Sequence, residues 1–273
     1  MQTNETVLDV RQYFIDLQSE ICDSLAAADG AHIEKAAVQF THSLGEALPP
    51  AATERNPHLA GSGFQATAIS LIVHPTNPYV PTTHMNLRFF LVEAEDPVWY
   101  FGGGYDLTPY YATRTDIVHW HQTAREAVGG YYAQMKAACD EYFFLPHRQE
   151  PRGVGGIFFD DWTEGGYDKS FNLVQAVGDS FLRAYLPIFQ ERKSTPFSER
   201  ERDFQLYRRG RYAEFNLAID RGTKYGLQSG RRIESVLASL PPLVQWVYEY
   251  PIHSGSDEEA LTEEYLKVQN WLE

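Results

Sequence analysis

Between His84 and Tyr110 the chain reads HMNLRFFLVEAEDPVWYFGGGYDLTPY, and residue types able to do chemistry gather there. His84, Asn86 and Arg88 alternate with Met85, Leu87 and Phe89. A strand would therefore turn three polar groups to one face and three apolar ones to the other. A second aromatic run, Val98 to Phe101, breaks at Gly102, Gly103 and Gly104 and resumes at Tyr105 and Asp106. Glycines inside a strand leave the backbone bare, so another backbone or a ligand can approach it closely. Asp106 stands among large aromatics, where a carboxylate without a donor is costly to bury. It could gather several N–H donors or take a proton; the alternative is an Asp that caps the turn before Thr108-Pro109.

Upstream, Phe64 to Val73 reads as another strand that stops at His74-Pro75, followed by a stiff connector with prolines at 75, 78 and 81. Antiparallel pairing symmetric about Tyr79 would set His74 against His84, Ile72 against Asn86 and Ser70 against Arg88. Ser70, His74, His84, Asn86 and Arg88 would then share one polar surface, and a one-residue slip would scatter them. His74 and His84, joined by His121 or His147, could ligate a divalent ion, although the spacing matches no compact ligand motif. Hydrogen-bonding or acid–base roles are the alternative. Arg88, Arg221 and Arg232 could each clamp a carboxylate bidentately. Such clamps around a glycine floor with aromatic walls would suit a flat molecule carrying carboxylates at its rim. The glycine triplet lacks the Lys and the helix of a phosphate loop, and no nucleophile elbow or dinucleotide fingerprint is present.

The elements that must position these groups follow from periodicity. Val7, Val10, Phe14, Leu17, Ile21 and Leu25 predict a helix ending near Asp29-Gly30. A strand is expected around Ala37 to Phe40, and Pro49 to Pro57 reads as a loop. Asp116 to Phe144 is helical, divided at Gly129-Gly130, and His119 and His121 lie on opposite sides of it. Val154 to Asp160 predicts a strand, Lys169 to Gln190 a helix, and Ser198-x-x-Glu201 a capping box opening a helix to about Arg209. Tyr212 to Ile219 alternates strictly and predicts a half-exposed strand, with turns at Asp220 to Thr223 and at Gln228 to Arg232. Ser256-x-x-Glu259 should cap a C-terminal helix carrying Leu261, Tyr265, Val268 and Leu272. No repeats or low-complexity linker interrupt this order. The reading is a single α+β domain over residues 1–273, a large antiparallel sheet flanked by helices on both faces.

Composition narrows the function classes. With 43% hydrophobic and 14% aromatic residues the chain can bury a sizeable core, which argues against disorder. The net charge of −14 disfavours nucleic acid or an anionic membrane as partner. From Arg208 to Arg232, however, seven bases face two acids, a local +5 that suits a small polyanion or, equally, a salt-bridged surface. No apolar run is long enough to span a membrane, and no basic, apolar leader is visible at the N-terminus. Two cysteines, Cys22 and Cys139, fit neither zinc nor iron–sulfur spacing, so a reducing cytoplasm is expected.

Five long runs carry a resemblance: SLIVHPTNPYVPTTHMNLRFF, WYFGGGYDLTPYY, HRQEPRGVGGIFFDDW, FQLYRRGRYAEFNLAIDRGTKYGLQSG and RIESVLASLPPLVQWVYEY. Together they closely resemble the oxygen-dependent coproporphyrinogen III oxidases over nearly the whole chain. The resemblance implies a flat antiparallel sheet flanked by helices, a homodimer, and a step of haem biosynthesis. In that step two propionates of coproporphyrinogen III are oxidatively decarboxylated to vinyls with O2, giving protoporphyrinogen IX and CO2 and using no organic cofactor. It further implies that Asp106 binds the pyrrole N–H cluster and assists its deprotonation, and that His84 donates a proton. Ser70, the segment Asn86, Leu87 and Arg88, and the turn Gly230, Arg231 and Arg232 would bind substrate carboxylates, with Arg221 beside Asp220 as a further clamp. Some bacterial members are described with a divalent metal on positions matching His74, His84, His121 and His147. Residues Tyr212 to Glu249 match the region associated with dimerisation.

Arg231 departs from the small residue of relatives, and the segment around Gly129-Gly130 is shorter than theirs. The radical enzyme of the same step needs a three-cysteine motif that is absent here. Two rivals stay open at this level. One is a metal-dependent dioxygenase or hydrolase acting on another aromatic acid through His74, His84 and His121. The other is a non-enzymatic tetrapyrrole carrier.

Overall fold

A computed structural model describes residues 3–28, 30–47, 60–228 and 231–273. The predicted loop Pro49 to Pro57 and the carboxylate contact at Gly230 lie outside the described residues. Five strands, β1 (Ile33–Gly45), β2 (Gly63–Pro75), β3 (Thr82–Glu93), β4 (Val98–Thr108) and β7 (Gly155–Trp162), form one antiparallel sheet in the order β1-β2-β3-β4-β7. Between β4 and β7 run helices α2 (Arg114–Val128) and α3 (Tyr132–Tyr142) and a small hairpin of β5 (Phe144–Leu145) and β6 (Glu150–Pro151).

The period-two alternation decides which face is core. Ile69, Leu71 and Val73 of β2, Met85, Leu87 and Phe89 of β3, and Tyr105 and Leu107 of β4 point the same way and are buried. Helices α1 (Thr3–Ala27), α2 and α4 (Tyr167–Arg192) close over them. The predicted α1 stripe, Val7 to Leu25, is at most 4% exposed throughout, and each such side chain contributes about 1.5–3 kcal/mol on burial. The opposite face carries the polar residues. It is capped at one end by α5 (Glu199–Glu214), α6 (Arg221–Gln228) and the turns from Ile233 to Ser239. Helices thus flank both faces of the sheet, as the sequence leads one to expect.

Four local expectations change. β2 and β3 pair with Ile72 opposite His84, Ser70 opposite Asn86 and Ala68 opposite Arg88, two residues away from symmetry about Tyr79. Asn77 moves the turn: its Nδ2 donates to the carbonyls of Lys193 and Thr195, its Oδ1 accepts from Tyr79 N–H, and its carbonyl accepts from Val80 N–H. Because the slip is even, every side chain keeps its face. Next, Tyr212 to Ile219 is not a strand; α5 runs on to Glu214 and continues as a π-helical turn, Phe215–Ile219. The capping box at Ser198 and Glu201 starts this helix as predicted, but its buried stripe, Phe204, Arg208, Tyr212 and Phe215, includes an arginine that reads as surface. Asp220 is no open turn; its Oδ2 accepts from Thr223 N–H and Oγ1 at 2.6 and 2.8 Å, capping α6. Finally, the C-terminal helix ends with the π turn Leu261–Tyr265, which leaves Val268 exposed and buries Trp271 instead.

Candidate active site

On the polar face β3 and β4 set His84 directly opposite Asp106. His84 Nδ1 lies 3.0 Å from Asp106 Oδ1. Asp106 is 2% exposed, and Arg152 grips it from beneath, Nη2 at 2.8 and 2.9 Å from its two oxygens and Nε at 3.2 Å from Oδ2. Burial alone would push the Asp106 carboxyl up, but the Arg152 guanidinium, helped by His84, holds it below the usual range. The ionised carboxylate accepts, so the proton of His84 sits on Nδ1 and Nε2 has no partner among the described residues. Arg152 is itself buried among the rings of Phe143, Tyr212 and Phe215, 4.3 to 4.6 Å from their centroids, and donates Nη1–H to Asn216 Oδ1. A π-helical turn that aims one side chain inward is a recurrent feature of functional sites, and Asn216 lies on one.

Four residues along β4, about 13 Å away, a second constellation forms around Arg88. Gly102 stands opposite Arg88, and a Cβ there would meet Arg88 Nη2 at 2.7 Å, so only glycine leaves room for the guanidinium to lie across the strand. Arg88 Nη1–H donates to Asn86 Oδ1 at 2.8 Å and Nη2–H to Asp160 Oδ1 at 2.7 Å. Arg221 Nη2–H reaches the other oxygen, Asp160 Oδ2, at 3.0 Å, with its guanidinium 4.8 Å above the ring of Tyr142. Between the two constellations the floor is Gly104, whose added Cβ would lie 1.9 Å from the Ile157 carbonyl.

The sequence-predicted residues therefore sort into three groups. Ser70, His84, Asn86, Arg88 and Asp106 share the polar face, and Arg221 joins them across Asp160. Leu87 does not: its side chain is fully buried in the core, leaving only its backbone near the site. Asp220 spends its carboxylate on capping α6 and on Tyr142 Oη–H at 2.8 Å. Arg231 donates to Ser43 Oγ on β1 at 2.8 Å, and Arg232 stands in solvent beside Glu234. Of the basic island, Arg208 and Arg211 pair with Glu150 and Arg209 with Glu34, so these three serve as internal ion pairs.

The four histidines expected to share a metal do not meet. His74, fully buried at the covered end, bonds Thr82 Oγ1 and the Ser239 carbonyl; burial pushes it down to about 3, so it stays neutral. His121 lies on the core side of α2 against Trp271 and bonds the Val154 carbonyl and Tyr132 Oη. His147 pairs with Glu214 at 2.8 Å. Among the described residues no group of three or more His, Cys, Asp or Glu side chains could hold a metal ion. The ligand set is thus dispersed, each of the four imidazoles being drawn to a separate partner.

Sequence reasoning missed Arg152 and Asp160. The need for a cation was visible in principle, since a buried Asp demands one, but its partner lies 46 residues away. In the sequence Asp160 reads only as the end of a strand.

The protein-family model described as Coproporphyrinogen III oxidase matches residues 14–271 of the 273-residue chain.

Proposed function

The chain belongs to the coproporphyrinogen III oxidase family, which oxidatively decarboxylates two propionates of coproporphyrinogen III to vinyls in haem biosynthesis, and we propose that it uses O2 as electron acceptor. Radical chemistry for the same step needs a three-cysteine cluster, whereas the chain has two cysteines, both free. Each propionate then follows the balance RCH2CH2COO⁻ + O2 + H⁺ → RCH=CH2 + CO2 + H2O2. The side-chain carboxylate leaves as CO2, and the two electrons and the proton released from the side-chain CH2, together with the H⁺ taken up, go to O2 to give H2O2.

The observation that carries the reading is the buried series Arg152, Asp106 and His84, which ends at a part-exposed imidazole on a glycine-floored face. His84 Nε2 accepts a pyrrole N–H proton, and Asp106 stabilises the imidazolium that results. Arg152 keeps Asp106 ionised. In this arrangement Asp106 positions His84, since His84 and Arg152 already donate four hydrogen bonds to its two oxygens. Loss of the N–H proton makes the pyrrole electron-rich enough to reduce O2 directly. Arg88 and Arg221 bind carboxylates at the rim and hold the macrocycle in register. Two free cysteines fit a reducing cytoplasm, and no helix among the described residues is long and apolar enough to cross a membrane.

The test mixes anaerobically prepared coproporphyrinogen III with the protein and then admits air. Product mass should fall by two carboxyl losses, only with O2 present, and Asp106→Asn should slow turnover by about 10²–10⁴-fold. Turnover under argon without another acceptor would sink the oxygen reading. Full activity of Asp106→Asn would sink the proton reading.

A further inference from the structure

Asp160 lies on the open face where a substrate carboxylate is expected, put there by the same alternation that sets Gly156 opposite Asp106 and Phe158 opposite Gly104. In the β4–β7 pairing Phe101 faces Trp162 and Gly103 faces Phe159, so Asp160 and Asp161 together oppose Gly102. This is a β-bulge: Asp161 is the extra residue, its side chain stays exposed, and Trp162 is turned into the core in its place. Asp161 takes φ 50°, in the left-handed region, and donates its N–H to Asp160 Oδ1 at 3.1 Å. The missing Cβ of Gly102 gives Arg88 its path to the same oxygen. The Asp161 N–H and the space left at Gly102 thus converge on one carboxylate bridging Arg88 (2.7 Å) and Arg221 (3.0 Å).

A carboxylate between two guanidiniums has the geometry of a bound propionate. Two arginines and one Asp also leave a net charge of +1, matched to a single further carboxylate. We propose that Asp160 is an internal stand-in for a substrate carboxylate. It occupies the seat between Arg88 and Arg221 in the free protein, and a propionate displaces it. Asp160 thereby sets how tightly the rim is held, lowering affinity so that a product with fewer carboxylates can leave. This inference rests on the reading that Arg88 and Arg221 take substrate carboxylates. The seat is within reach of solvent, with side-chain exposures of 30% for Arg88, 52% for Arg221 and 19% for Asp160, so exchange needs no opening of the core.

The probe is coproporphyrin III, the oxidised macrocycle with the same four carboxylates, compared with its tetramethyl ester by fluorescence titration. Asp160→Asn keeps the acceptor for Asp161 N–H but removes the charge. It should tighten binding of the acid about fivefold and leave the ester within about twofold, the scale of a part-exposed ion pair. Asp160→Ser repeats the charge removal should the amide disturb the bulge. Arg88→Gln should weaken the acid alone. If the acid binds Asp160→Asn no better, or worse, while Arg88→Gln still weakens it, Asp160 is a strut for Arg88 and the proposal is overturned. If neither variant distinguishes acid from ester, the carboxylate clamp itself falls.

Discussion

Replacing Arg152 by Met should expose how the buried site is balanced. Met keeps an unbranched chain between the rings of Phe143, Tyr212 and Phe215 but leaves Asp106 buried without its cation. Removing one partner of a buried pair costs about 3–5 kcal/mol, because the remaining charge is uncompensated. The sign of the pH dependence follows from the same contacts. In the native protein burial favours the neutral carboxyl, but Arg152 and His84 overcome it and hold the group below its usual range. Its contribution is therefore present above the unfolded value, near 4, and is lost only as pH falls through the lower folded value. In Arg152→Met burial is less opposed and the carboxyl rises above the unfolded value. The penalty is then largest at neutral pH and shrinks as acid protonates Asp106.

Urea unfolding followed by tryptophan fluorescence at pH 7.5 and pH 5 measures both effects. Adding Asp106→Asn to Arg152→Met should recover about 2–3 kcal/mol of the loss, since the charge that needed Arg152 is gone. A loss below about 1 kcal/mol, the same loss in the Asp106→Asn background, or a deficit that widens toward pH 5 would refute the account.

Two neighbouring glycines should behave differently. Gly104→Ala, at φ 139° with its Cβ 1.9 Å from a backbone carbonyl, should cost about 2–5 kcal/mol. Gly102→Ala meets only the movable guanidinium of Arg88, so stability should change by less than about 1 kcal/mol while KM rises; equal destabilisation by both would be inconsistent with the geometry. We also propose that the exposed apolar side chains of Leu217, Leu243, Trp246, Val247, Tyr248 and Ile252 meet a second copy. Sedimentation should then give twice 31.1 kDa, reduced by Leu243→Asp with Tyr248→Asp, and a monomeric native protein would rule this out.

The sequence determined what depends on neighbours along the chain. Alternation in β3 was enough to put His84, Asn86 and Arg88 on one face, and the even slip at Asn77 left that assignment intact; the β3–β4 register that brings Asp106 to His84 came from the structure. Periodicity likewise yielded α1, the division of α2 from α3 at Gly129, and the capping box of α5. The same local logic failed from Tyr212 to Ile219, where eight residues fit both periods and the deciding stripe contained an arginine buried by its ion pair with Glu150.

Only the tertiary structure decided which charges meet. Arg152 reaches Asp106, Asp160 takes Arg88 and Arg221, and His74, His121 and His147 each turn to a separate partner. The reason is physical: a buried charge selects its counterion by distance in space, and the pairing of β4 with β3 on one side and β7 on the other brings Asp160 across Gly102 to Arg88.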